Sequence, residues 1–199
     1  MSWKYRNDQY DAPTLSGGID LATAFGGVRP PAANFATGGV PAMHSTDGVN
    51  STPVATEIYV ASVLVPFTCV VTGISVFNGA TVGTDKGKVG LFDATGTLVR
   101  ASAAAGATTS GADSYQDYAF ALDGAGAAAT TITLPTGIYY VAYMMNGNTD
   151  RFNAWGVGRF PTRRVTGATF STAFASTSLT ITPPTTFTTA DLPPIASLY

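Results

Sequence analysis

One histidine, one cysteine and one glutamate in 199 residues leave this chain short of the side chains that most catalytic chemistry uses. Charge is scarce too: Asp, Glu, Lys and Arg make up 11% of the chain, against roughly 25% in an ordinary soluble domain. A Ser-His-Asp or Cys-His centre needs an imidazole base beside a nucleophile and a third group to orient it. The one imidazole, His44, stands in Pro41-Ala42-Met43-His44-Ser45-Thr46-Asp47, which has no hydrophobic period and reads as connecting chain. A zinc site generally takes three or more His and Cys ligands, and this chain holds two such residues. One cysteine cannot close an internal disulfide, and Cys69, in the apolar run Phe67-Thr68-Cys69-Val70-Val71, is expected to behave as a small buried hydrophobe. Neither a glycine loop of the phosphate-binding kind nor a paired Asp/Glu constellation for glycoside hydrolysis is visible. The net charge of −2 and pI near 5.1 argue against nucleic acid or an anionic membrane as partner. The expectation is a protein without catalytic residues, cofactor or metal.

What remains is apolar and rich in turn formers: 45% hydrophobic residues with 22 Gly and 12 Pro, too many breakers for a helical bundle. The N-terminus, Met1-Ser2-Trp3-Lys4-Tyr5-Arg6, begins polar and is followed by no apolar core of the secretory kind. Residues 58–77 run twenty positions without a charge, about the length of a membrane span. Pro66 and Gly73 interrupt the run, however, and Val, Ile, Thr, Tyr and Phe dominate it, so two buried strands joined by a corner are predicted instead.

From Glu57 onward strand follows strand. Strands are predicted at 58–65, 70–77, 88–92, 97–100, 115–122, 131–134 and 138–145, and weaker ones at 152–155, 165–170 and 178–182. Asp93-Ala94-Thr95-Gly96 has Asp first and Gly last between apolar runs, the signature of a hairpin on a type I turn. The tail from Pro183-Pro184 to Tyr199 reads as extended chain. About eight or nine short strands at intervals of roughly ten residues imply an all-β antiparallel sandwich or barrel. Several strands look apolar on both faces and few charges guard the edges, a pattern that points to pairing with further copies of the chain.

Residues 1–52 differ from the sandwich domain expected at 53–199. Paired glycines and Pro30-Pro31 alternate with small residues, only 19–25 resembles a regular element, and Trp3, Tyr5, Tyr10, Phe25 and Phe35 are spaced along the stretch. Such spacing suits an extended arm pinned to a partner by aromatic anchors.

Two motifs and the general composition carry a family resemblance over about residues 55–182. Gly87-Lys88-Val89-Gly90-Leu91-Phe92-Asp93-Ala94-Thr95-Gly96-Thr97-Leu98-Val99 resembles a hairpin of the jelly-roll domains found in tailed-bacteriophage structural proteins. Leu134-Pro135-Thr136-Gly137-Ile138-Tyr139-Tyr140-Val141-Ala142 resembles a later strand entry of the same domains, and the Thr/Ala/Gly-rich filler and Pro-rich ending are similar to those of virion proteins. Similar strands occur in carbohydrate-binding modules. The resemblance implies a jelly-roll sandwich in a virion, assembled in the host cytoplasm, often as a homotrimer, with the major capsid protein or another virion protein as partner. It implies no catalytic residue. The function expected is capsid decoration, with a tail or fibre module that binds a host glycan as the alternative.

Arg151, Arg159, Arg163 and Arg164 gather four of the ten basic residues within fourteen positions, beside Phe152, Trp155 and Phe160. Arginine with aromatics is the composition of a protein interface or a glycan contact, and equally of a solvated loop whose Trp155 plugs the core. Asn146, Asn148 and Asp150 alternate around Gly147, as oxygen ligands of Ca²⁺ can, but the distal bidentate Glu of a twelve-residue calcium loop is missing and a plain Asn-Gly turn is the simpler reading.

Overall fold

The computed structural model describes residues 35–37, 48–156, 161–174, 180–185 and 189–199. The strands are β1 (Phe35–Ala36), β2 (Val49–Ser51), β3 (Glu57–Val65), β4 (Cys69–Val71), β5 (Gly73–Phe77), β6 (Lys86–Phe92), β7 (Leu98–Ser102), β8 (Ala107–Thr108), β9 (Tyr115–Asp123), β10 (Ile132–Leu134), β11 (Gly137–Met145), β12 (Phe152–Ala154), β13 (Thr162–Thr166) and β14 (Ala196–Leu198). Every paired strand is antiparallel.

Hydrogen bonding runs β1-β14-β5-β9 and then β7-β6-β11-β3-β13, with β9 common to both halves. Its first half lies on β5, Gly73 opposite Ala119, and its last residues lie on β7, Arg100 opposite Asp123. β9 thus crosses from one sheet to the other near Phe120, and β10 pairs with β4, the residues just before β5 in the chain. Four pairs make the plan: β1 with β14, β3 with β11, β5 with β9 and β6 with β7. They alternate between the two sheets, as when one long hairpin is rolled up on itself. That is a jelly roll, and the all-β sandwich expected from strand spacing is what the chain forms.

Side-chain alternation divides the second sheet into two apolar faces. Tyr59, Val63, Leu91, Val141, Tyr143 and Met145 point between the sheets, where they meet Ile74, Val76, Tyr118, Phe120, Ala196 and Leu198. Ile58, Val60, Phe92, Tyr140, Ala142 and Met144 point away from the first sheet and are covered by Ala173, Phe174 and Ile181 of the same chain. The two-faced apolar strands therefore find part of their cover within the protomer. The apolar pattern of β11 needs no second copy to explain it.

Three expectations change. β1 and β2 lie inside the stretch read as an arm, yet both are hydrogen-bonded into the sandwich, β1 to β14 and β2 to β12, so the sandwich starts before residue 53. The tail is not simply extended: Thr189–Asp191 form a 3-10 turn, and β14 lies between β1 and β5 with Ala196 and Leu198 fully buried. Residues 162–166 rather than 165–170 form the late strand, because β13 is the stretch that reaches β3, with Arg164 opposite Tyr59. The weak element at 19–25 lies outside the described residues. Among the described residues no helix is long and apolar enough to cross a membrane, and residues 58–77 form β3, β4 and β5.

Leu198→Ala removes a fully buried side chain from β14, between β1 and β5 in the first sheet. The expected loss is about 2–4 kcal/mol in urea unfolding, and deletion of residues 196–199 should abolish the cooperative transition.

Candidate interaction surfaces

Loops 78–85, 109–114 and 146–151 meet at one end of the sandwich and are clamped by aspartates. Asp150, fully buried, accepts hydrogen bonds at Oδ2 from the backbone N–H of Thr84 at 2.8 Å and of Asp85 at 2.7 Å, and a further one from the Thr109 hydroxyl. Asp85 returns the arrangement, its Oδ2 accepting from the N–H of Thr149 at 2.7 Å and of Asp150 at 2.9 Å. Asn146 Oδ1 accepts from Lys86 N–H at 2.6 Å. Burial alone would raise the Asp150 carboxyl, but the hydrogen bonds from Thr109, Asp85, Thr84 and Gly83 outweigh it and hold the pKa below its ordinary value of 3.8. The alternating Asn146-Gly147-Asn148-Thr149-Asp150 is thus a turn whose oxygens organise backbone. No group of three or more His, Cys, Asp or Glu suited to a metal occurs among the described residues.

Other aspartates do the same work. Asp93 Oδ1 accepts from the N–H of Thr95 at 2.8 Å and of Thr97 at 3.0 Å, closing the predicted hairpin, whose Gly96 takes φ +83°. Asp123 Oδ1 accepts from the N–H groups of Ala125 and Ala127, both at 2.8 Å. Asp117 accepts from the Ser75 hydroxyl.

The Arg-aromatic stretch 151–164 is distributed over several elements. Arg151 folds back on its own loop, Nη1 donating to the carbonyl of Asn148 at 2.6 Å and of Thr149 at 3.1 Å. Phe152 is fully buried, its ring 5.0 Å from that of Tyr59 and 5.5 Å from that of Tyr143. It is a core residue, which corrects its reading as a partner contact. Trp155 is half-buried beside Phe77, Tyr115 and Ile195, and its indole N–H donates to Thr37 Oγ1 at 2.9 Å. Thr37 in turn donates to the Pro194 carbonyl at 2.8 Å and accepts from Ala196 N–H at 3.0 Å. Trp155 therefore fastens the chain just after β1 to the C-terminal segment. Arg163 and Arg164 sit on the edge strand β13, where Arg164 lies 3.7 Å from Glu57. Of the other expected contacts, Arg159, Phe160, Trp3, Tyr5, Tyr10 and Phe25 lie outside the described residues, as does His44. Phe35 contributes its backbone to β1. Cys69 is half-buried against the core, and burial pushes its thiol pKa up.

An apolar end went unnoticed in the sequence reading. Leu64 and Ile138, paired across β3 and β11, are 58% and 51% exposed, and Val70 on β4 is 61% exposed. Residues 58–77 and 131–145, which carry these positions, contain no charged side chain, and the charges nearby are Asp93, which acts on Tyr139, and Arg100, whose Nε donates to the Thr131 carbonyl at 3.0 Å. Leu64, Val70 and Ile138 each adjoin a buried apolar residue on their own strand, so the local pattern did not separate exposed from buried.

Comparison with family models, with curated proteins and with solved structures gave no match to this chain.

The clamp has a measurable consequence. Asp150→Ala strands several backbone donors and should cost about 2–4 kcal/mol in urea unfolding. Because the folded-state pKa is depressed, the stabilisation is complete above the ordinary carboxyl range, near pH 4, and is lost as pH falls through the folded value. The wild type should lose more stability than Asp150→Ala between pH 5 and 2.5.

Proposed function

We propose that this chain is a non-enzymatic structural protein of a tailed-bacteriophage virion, a capsid decoration protein that seats on the outer surface of the particle as a homotrimer. The observation that carries this reading is the jelly-roll order of β1-β14-β5-β9 and β7-β6-β11-β3, the fold implied by the motif resemblance at residues 87–99 and 134–142. The use of the described aspartates supports it. Asp85, Asp93, Asp123 and Asp150 hold backbone donors, so they serve loop geometry rather than acid-base chemistry. Cementing needs no reaction: apolar surface buried between chains resists the outward pressure of a packaged genome.

In this proposal the exposed side chains of Leu64, Val70 and Ile138 supply apolar contact area, and residues 1–34 supply the arm. That arm would leave the sandwich beside β14, because β1 is paired there. The engaged indole N–H of Trp155 and the burial of Phe152 leave the same stretch poorly equipped to hold a sugar.

The reading is tested on particles. Electron microscopy of purified virions carrying a tagged copy should show it at regular positions on the outer capsid, and its absence from particles would sink the proposal. Deletion of residues 1–34 should abolish particle binding while the circular-dichroism spectrum stays β-rich. Normal decoration by the truncated protein would remove the arm from the mechanism.

A further inference from the structure

Lys88 sits on β6 with its side chain turned away from the inter-sheet core, and it is fully buried. Its Nζ lies 4.6 Å from the centroid of the Phe170 ring and 3.4 Å from the Ala104 carbonyl, a long hydrogen bond. The cover is the segment 168–174, Ala-Thr-Phe-Ser-Thr-Ala-Phe, which contributes no titratable side chain. Residues 103–106, Ala-Ala-Ala-Gly, bring none either, and β11 places Met144 opposite Lys88 with Tyr140 further along the same face. Among the described residues an ammonium held there has no counter-ion, and burial removes most of its hydration.

The covering segment is fastened lightly. Among the described residues, its one backbone hydrogen bond to the rest of the chain runs from Ala168 N–H to the Thr56 carbonyl at 2.9 Å. Internally, Ala173 N–H donates to the Thr169 carbonyl at 2.8 Å. Over the sheet it is held by side chains: Phe174 packs edge-on against Phe92 at 6.1 Å and occupies the space left by Gly90, where an added Cβ would stand 2.7 Å from its ring. Phe174 takes φ +60°, a left-handed conformation that is unfavourable for a bulky aromatic residue.

We propose that residues 168–174 form a proton-operated strap: it closes over the outer face of the second sheet while Lys88 is neutral, and it opens to hydrate Lys88 when that amine takes a proton. Burial, the one cause acting on Lys88, draws its pKa from 10.5 down to about 8, which places the transition in a mildly alkaline range. The sign follows from proton linkage. Between the closed-state and open-state values the open form binds one more proton, so each unit of falling pH favours opening about ten-fold. Below the closed-state value both forms are charged and the effect levels off. Opening would uncover Phe92, Tyr140 and Met144.

Amide hydrogen exchange of peptides spanning 168–174 in the full-length protein, corrected for the intrinsic pH dependence of exchange, measures the opening constant. From pH 8 to 9.5 it should fall about 15-fold in the wild type, the full one-proton slope being reduced near pH 8 because the closed form is itself half protonated there. Lys88→Met should be closed and flat across the range. Lys88→Arg, which stays charged, should be open and flat. A wild-type opening constant that does not change with pH, or the same slope in Lys88→Met, would overturn the proposal. If Lys88→Met does not fold, the wild-type slope against a flat Lys88→Arg decides the matter.

Discussion

The structure depends on covering both faces of its second sheet. β3, β6 and β11 carry apolar side chains at odd and even positions alike, so neither face can be left to water without exposing several large hydrophobics. The first sheet covers one face, and residues 173, 174 and 181 cover the other. At about 25 cal/mol per Å² of apolar area, each such face outweighs any single polar contact in the fold. The described residues that follow β13, with one 3-10 turn and β14 as their regular elements, have their structural role here. They wrap round to the outer face and then return to place β14 in the middle of the first sheet.

The parts of this plan that could be read from sequence are those set by local pattern. β3, β9 and β11 have several residues with period-two or continuous apolar character between clear breakers, and each was placed within a residue or two, whereas the single strand expected at 70–77 is split at Thr72 into β4 and β5. The hairpin at Asp93-Ala94-Thr95-Gly96 followed from turn chemistry, since Asp accepts from the two N–H groups ahead of it and Gly takes the positive φ. β1, β8 and β14 escaped notice for a physical reason. They are two or three residues long, and what makes them strands is the partner they meet, which for β1 and β14 lies at the other end of the chain. No window of sequence contains that information.

The candidate site divides along the same line. The Asn146-Gly147 turn was legible because its determinants are adjacent residues. The role of Asp150 was not, because Thr84, Asp85 and Thr109 reach it from distant loops. Phe152 and Trp155 share a composition that suits an interface and suits a core equally. Only burial separates the uses, and it sends Phe152 into the sandwich and the Trp155 indole N–H to Thr37. Lys88 was hidden by its surroundings. A lysine between Gly87 and Val89 on an alternating strand reads as a solvent-facing residue, and it would be one had residues 168–174 not crossed over it.

In a chain with so few charges, the way each is held is informative. Asp85, Asp93, Asp123 and Asp150 are each met by backbone donors, and Arg151 by backbone carbonyls, although Asp150 Oδ1 is buried without a partner. Lys88 is held differently, by an aromatic face and one distant carbonyl. A methionine of similar volume would fill that space without the electrostatic cost, so the folded state gains nothing from the amine that an apolar side chain would not supply. A buried charge with so little compensation destabilises whatever covers it, and here the cover is a short segment carrying a left-handed Phe174 and tied by one backbone hydrogen bond among the described residues. The weak point of the outer face thus coincides with a buried amine held by an aromatic ring and one long hydrogen bond, which is the physical basis for the proposed coupling.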